Sequence, residues 1–226
     1  MLKGNIMNSL FKDHPRILTR KIFILTSNPP EAPSPSSSDK EELREVVRSM
    51  KEAHNDPQRY LMIKLFDNSF IDDFLRMLPP GAAPTFRPLC EILMSDVETL
   101  CLKEKFRHRR ARPAQMAKAE GFDLGEFDSD TDESPAYPSG HAAGSRILAL
   151  ALGEIFPHRK EVLVELSRLI GQSRIDGGLH YPSDVQAGFE WAEELWASSR
   201  RSGLRIKDHV ERNKIDRADK KETSLT

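Results

Sequence analysis

Apolar residues recur every three or four positions along most of this chain, and no segment alternates apolar and polar residues at period two. The clearest case is the run through Leu89, Ile92, Leu93, Val97 and Leu100. That spacing lays one stripe along one side of a helix, and such a stripe must be covered by other helices. The chain is therefore expected to be all-α, a single-domain helical bundle of about six to seven helices. Its 226 residues suffice for a sizeable core.

Breaks and stripes divide the chain. The Pro/Ser-rich stretch 28–38, NPPEAPSPSSS, reads as a linker. Residues 1–37 are expected to be a flexible arm, 38–200 the helical domain and 201–226 a charged tail. Ser38 and Glu41 form a capping box ahead of a helix over 39–54. A second helix is expected over 58–78, carrying Leu61, Leu65, Phe70 and Phe74. PPGAAP at 79–84 breaks the chain. A third helix is expected from Arg87 to Lys105, with Arg112-Pro113 at or just past its end, then an acidic loop over 118–137. Helices over 141–156, 159–175 and 183–200 complete the bundle, with Gly177-Gly178 as a turn. Trp191 and Trp196 fall among apolar neighbours and read as core.

Composition excludes several roles. The net charge of −1 gives no whole-chain attraction to nucleic acid or an acidic membrane. No apolar run approaches the roughly 18 residues of a spanning helix, so no integral membrane segment is expected. The start lacks an apolar block followed by a small-residue cleavage site, which points to a cytoplasmic or otherwise soluble protein. Cys90 and Cys101 on one helix would lie roughly 16 Å apart, too far for a disulfide.

Three short segments carry chemistry. Lys105 and Arg112 bracket six residues ahead of Pro113. Pro138-Ser139-Gly140-His141 stands where a loop enters a helix. Ser173-Arg174 precedes His180 and Asp184. Guanidinium groups match oxyanions two bonds at a time, and lysine adds a point charge. The first N–H groups of a helix favour an anion, and Gly140 lets a backbone amide come close. A carboxylate at Asp184 can fix one nitrogen of His180 and leave the other as a nucleophile. His141 is then free to protonate a leaving oxygen. Taken singly, each segment has a plainer explanation: a solvated basic face, a helix cap, a hydrogen-bonded histidine. Together they describe one cradle for a tetrahedral anion.

The order K-x6-R-P, P-S-G-H and S-R-x5-H-x3-D resembles the signature of the phosphatidic acid phosphatase type 2 superfamily, and the flanks AYPSGHAAGS and GLHYPSDVQAG resemble its soluble class A acid phosphatases. Pro135-Ala136 stand where those enzymes usually carry a Gly-Ser step. The resemblance implies a metal-independent phosphatase hydrolysing small phosphate monoesters. It implies a phosphohistidine on His180, Asp184 as its support, and His141 as general acid. Lys105, Arg112, Ser139, Gly140 and Arg174 would bind the phosphate. No cofactor is implied, with vanadate an inhibitor. In the alternative readings the chain is a haloperoxidase with vanadate as cofactor, or a non-catalytic binder of phosphate or phospholipid headgroups. No nucleic-acid partner is expected, and a homo-oligomer is left open.

Overall fold

The structure, a computed structural model, describes residues 39–124, 129, 133–201 and 206. The expected arm over 1–37, the Ser38 cap, residues 125–128 and 130–132 of the acidic loop and nearly all of the 201–226 tail lie outside the described residues.

The elements are α1 Asp39–His54, α2 Pro57–Leu65, α3 Ile71–Arg76, α4 Ala83–His108, α5 Pro113–Glu120, α6 Gly140–Ile155, a 3-10 turn Pro157–Arg159, α7 Lys160–Asp176 and α8 Pro182–Arg201. No strand occurs among the described residues, so the all-α expectation holds.

Two expectations need correction. The helix expected over 58–78 is two helices. Asp56 caps α2 by accepting from the amides of Gln58 and Arg59, but the helix stops at Leu65. Asp67, Asn68 and Ser69 favour turns over helix interiors, and the Asp67 side chain is drawn away to Arg174 on α7. The second correction concerns Arg112-Pro113. α4 ends at His108, where Arg109 adopts a left-handed conformation with φ 53° and donates its N–H to Lys105 O. Pro113 then opens α5, as proline does when its missing N–H falls in the first turn. Part of the expected loop from 118 is thus helix, closed at Gly121 with φ 71°.

α6 is the centre of the bundle. It packs on α4, α7 and α8, and it is apolar nearly all round, burying Ala142, Ala143, Ile147, Leu148, Ala149, Ala151 and Leu152. The main core joins all of these but Ala142 to Phe74, Leu89, Leu93 and Val97 on one side and to Leu163, Ile170, Trp191 and Leu195 on the other. Small residues set the approach of α8 to the start of α6. A Cβ on Gly188 would lie 2.6 Å from Ser139 O, closer than atoms can pack. A smaller cluster of Leu43, Val46, Ala117, Tyr181, Val185 and Phe189 fastens α1 and α5 to the start of α8. Cys90 and Cys101 are buried free thiols, in line with the spacing argument.

One buried group works against the fold. Asp96, in the middle of α4, is 4% exposed, and its Oδ2 has no hydrogen-bond partner. Burial pushes its carboxyl up to about 7. A folded-state pKa above the unfolded value means that stability is lost as pH rises from the ordinary carboxylate range through about 7. Asp96→Asn cannot ionise, and is expected to raise Tm by about 3–6 °C at pH 8 and by far less at pH 4.5. Calorimetry at the two pH values checks this; a lowered Tm at pH 8 refutes it.

Candidate active site

The three sequence segments meet at one end of the bundle, where the last turns of α4 and α7 face the first turns of α6 and α8. The Gly177-Gly178 turn makes this meeting possible. Gly178 takes φ +69°, and the chain doubles back so that Leu179 N and His180 N both donate to Arg174 O, at 3.0 and 3.2 Å. Pro182 then starts α8 and leaves His180 just outside it. At the neighbouring loop, Ser139 N donates to Asp184 O at 2.9 Å, which fixes the start of α6 against the start of α8.

His180 is the hub, 3% exposed. Its Nδ1 lies 3.3 Å from Asp184 Oδ2, and its Nε2 lies 3.0 Å from Arg112 Nη1. A guanidinium only donates, so Nε2 carries the lone pair and Nδ1 carries the proton. The tautomer follows from the two neighbours. Burial, reinforced by Arg112, Lys105, Arg174 and His141, holds the ring well below the ordinary histidine pKa, so it is neutral.

The cations are deeply set. Arg112 is anchored by Nε to Ser134 O at 2.8 Å and by Nη1 to Leu179 O at 2.7 Å. Arg174 is 1% exposed. Its Nη2 bonds Asp67 Oδ1 at 2.9 Å, and its Nη1 reaches Phe66 O at 3.4 Å. Lys105 Nζ donates to Pro135 O at 2.6 Å. Burial pushes the ammonium down to about 8, and Arg112 and Arg174 act in the same direction.

Ser139 caps α6, its Oγ accepting from Ala142 N at 3.4 Å. The amides of Gly140 and His141 open α6, where no intrahelical acceptor exists. A Cβ on Gly140 would meet only Cys101 Sγ, at 3.6 Å, so the protein's own packing does not demand glycine there. His141 Nε2 lies 2.8 Å from Asp67 O. A carbonyl only accepts, so Nε2 holds the proton and Nδ1 is the basic nitrogen. Burial, followed by Arg174, pushes His141 down to about 3, and the Asp67 carbonyl and carboxylate oppose this weakly.

Asp184 is fully buried and uses both oxygens. Oδ2 accepts from Tyr181 N at 2.9 Å as well as facing His180, and Oδ1 accepts from Arg110 Nη1 at 2.6 Å. Burial raises its carboxyl, and Arg110, the Tyr181 amide and Lys105 oppose that rise.

Sequence reasoning missed three side chains here. Asp67 falls inside the helix expected over 58–78, Glu42 inside the helix expected over 39–54, and Arg110 among the six residues between Lys105 and Arg112. Only Arg110 left a signal, its position two residues before Arg112. Among the described residues no group of three His, Cys, Asp or Glu is placed to hold a metal ion, and no helix is long and apolar enough to cross a membrane.

Residues 88–198 match the PAP2 superfamily. The non-specific acid phosphatase of Salmonella typhimurium is 36% identical over 83 residues, covering 37% of this chain and 28% of that protein. The non-specific acid phosphatase of Providencia stuartii is 29% identical over 121 residues, 53% of this chain and 48% of that one. The acid phosphatase of Zymomonas mobilis is 41% identical over 54 residues, 24% and 20% of the two chains. The chain thus spans less than half the length of these curated relatives. In three dimensions it is similar to a bacterial vanadium-dependent iodoperoxidase, with a TM-score of 0.56 at 17% identity, covering 78% of this chain and 52% of that one; the likeness is one of fold.

Proposed function

With residues 88–198 a PAP2 superfamily domain, we propose that the chain is a metal-independent phosphatase that hydrolyses small phosphate monoesters through a phosphohistidine on His180. The observation that carries this reading is the grip on the His180 ring: Asp184 on Nδ1 and a phosphate-type guanidinium, Arg112, beside a basic Nε2. A structural histidine needs no cation against its lone pair, whereas a nucleophile that must meet a phosphoryl group does.

In the first step His180 Nε2 forms a bond to phosphorus and the bond from phosphorus to the leaving oxygen breaks. The proton for that oxygen comes from His141. Its Nε2–H is committed to the Asp67 carbonyl, so Nδ1 is the nitrogen that takes and gives a proton. The phosphorylated ring is cationic, and Asp184 stabilises it through Nδ1–H. In the second step water attacks phosphorus, His141 Nδ1 accepts its proton, and inorganic phosphate leaves with His180 neutral again. Lys105, Arg112, Arg174, Ser139 and the Gly140 amide would bind the equatorial oxygens, where charge concentrates in the transition state.

The same donors suit vanadate, which resembles the five-coordinate transition state. Vanadate is therefore expected to inhibit competitively. The donor set also fits vanadate as a resident group. It would then supply peroxide activation, and halide oxidation with vanadate and hydrogen peroxide would favour that alternative.

The direct test is trapping. An isotopically labelled phosphate monoester is mixed with the protein and quenched in base, which preserves phosphohistidine. Label on the peptide containing His180, lost on mild acid treatment, is expected. Turnover without label there, or an acid-stable label elsewhere, overturns the mechanism. Tight phosphate binding without turnover favours the non-catalytic reading.

A further inference from the structure

The helix α1 lies outside the matched residues 88–198, yet it reaches the active-site end of α8. Glu42 Oε1 accepts from Ser183 N at 2.8 Å, and Oε2 accepts from Ser183 Oγ at 2.8 Å. The same Oε2 takes Arg110 Nη2 at 2.6 Å. The other end of that guanidinium, Nη1, donates to Asp184 Oδ1 and to Ser183 Oγ, each at 2.6 Å. Its Cζ lies 4.2 Å from the centroid of the Tyr181 ring, over the ring face. These contacts form an unbroken series from α1 to the catalytic histidine: Glu42, Arg110, Asp184, His180.

We infer that Arg110, oriented by Glu42, is a positioning residue that fixes the Asp184 carboxylate and through it the His180 ring, making α1 a working part of the active site. The inference rests on the role of His180 proposed above. Three observations support it.

First, the pairs are not surface pairs. The side chains of Arg110, Glu42 and Asp184 are 10%, 16% and 0% exposed. Charge-assisted bonds in such surroundings hold geometry in a way that solvated pairs do not. Second, the arrangement is restrained from both sides. Tyr181 packs beneath the guanidinium, and Ala136 N bonds Arg110 O at 2.9 Å. Third, α1 is itself seated independently of Glu42. Leu43 and Val46 pack with Tyr181 and Val185, and Ser49 Oγ bonds Asp176 Oδ1 at 2.7 Å, where Arg59 also binds. Glu42 therefore arrives at Arg110 on a fixed helix.

The chemistry gives the positioning a purpose. Asp184 must accept from His180 Nδ1 with one oxygen while staying an acceptor as the ring becomes cationic. Arg110 holds the second oxygen. Without it the carboxylate can rotate or take up a proton, and the ring loses its fixed tautomer. Arg110 and Glu42 reach the His180 ring only through Asp184, so their removal should act on kcat and not on KM.

The test uses the full chain. Arg110→Met, Arg110→Lys and Glu42→Gln are assayed on p-nitrophenyl phosphate, and the ring nitrogens of His180 are followed by NMR with labelled histidine. Arg110→Met is expected to lower kcat by about 30- to 100-fold with KM changed by less than about twofold, the range seen when a partner that orients a functional ligand is removed. The His180 nitrogens should move toward a tautomer mixture. Arg110→Lys should recover part of the loss. Glu42→Gln keeps an acceptor for Ser183 N and removes the charged acceptor that Arg110 Nη2 and Ser183 Oγ share; a loss of about three- to tenfold is expected. Wild-type kcat and an unchanged His180 spectrum in folded Arg110→Met and Glu42→Gln proteins overturn the inference, as does a loss confined to KM. If Arg110→Met fails to fold, Glu42→Gln decides. The spectrum needs no turnover. Should the wild-type protein hydrolyse nothing, the proposed function fails, and the NMR arm still decides whether Glu42 and Arg110 orient His180.

Discussion

His180→Ala is expected to lower kcat for phosphate monoesters by about 10⁴-fold or more, the scale of loss when a covalent nucleophile is removed. Affinity for inorganic phosphate should change by less than about tenfold, because the cations that bind it remain. The surroundings of His180 make this a clean substitution. Arg112 keeps its bonds to Ser134 O and Leu179 O, and Asp184 keeps Arg110 and the Tyr181 amide. Neither buried charge is left unpaired, so the fold should survive. Steady-state assay, phosphate titration and a melting curve on the same preparation check all three statements. Activity within tenfold of wild type in a folded protein sinks the phosphohistidine reading.

The legible and illegible parts of this molecule differ for physical reasons. α6, α7 and α8 could be placed because each has a continuous apolar stripe and a Gly or Pro at its edge. The split between α2 and α3 could not. Leu61 and Leu65, and Phe70 and Phe74, each keep a four-residue spacing that reads as helix, and only the five-residue step from Leu65 to Phe70 interrupts it; just past α2 the Asp67 carboxylate accepts from Arg174, distant along the chain. α5 was lost to an ambiguity of proline, which ends one helix as readily as it begins the next. The same distinction runs through the site. Lys105, Arg112, His141, Arg174, His180 and Asp184 stand in three short segments whose residue types already suggest an anion. Glu42, Asp67 and Arg110 acquire meaning only from partners that the fold supplies, and nothing local to them marks those partners.

His141→Ala should separate the two chemical steps. General acid assistance matters most for a poor leaving group. An alkyl phosphate should therefore lose about 10³-fold in kcat, while release of p-nitrophenol in the first turnover should slow by only about tenfold. Removal of His141 also removes the base for the second step, so the phosphoenzyme should accumulate. A burst of p-nitrophenol equal to the enzyme concentration, followed by slow turnover, is the expected trace. Equal losses on both esters, with no burst, would remove His141 from proton transfer. The acid role must also be reconciled with a ring that burial and Arg174 hold down to about 3. Free His141 is then neutral across the working range, and the proton it donates must come with the substrate. A phosphate monoester keeps one proton below its second pKa of about 6, and a monoanion meeting neutral His141 carries the same charge as a dianion meeting its protonated form. kcat/KM should therefore fall about tenfold per pH unit above about pH 6, and the midpoint should follow the ester's own pKa when esters of different acidity are compared. A midpoint indifferent to the ester would place the controlling ionisation on the protein instead.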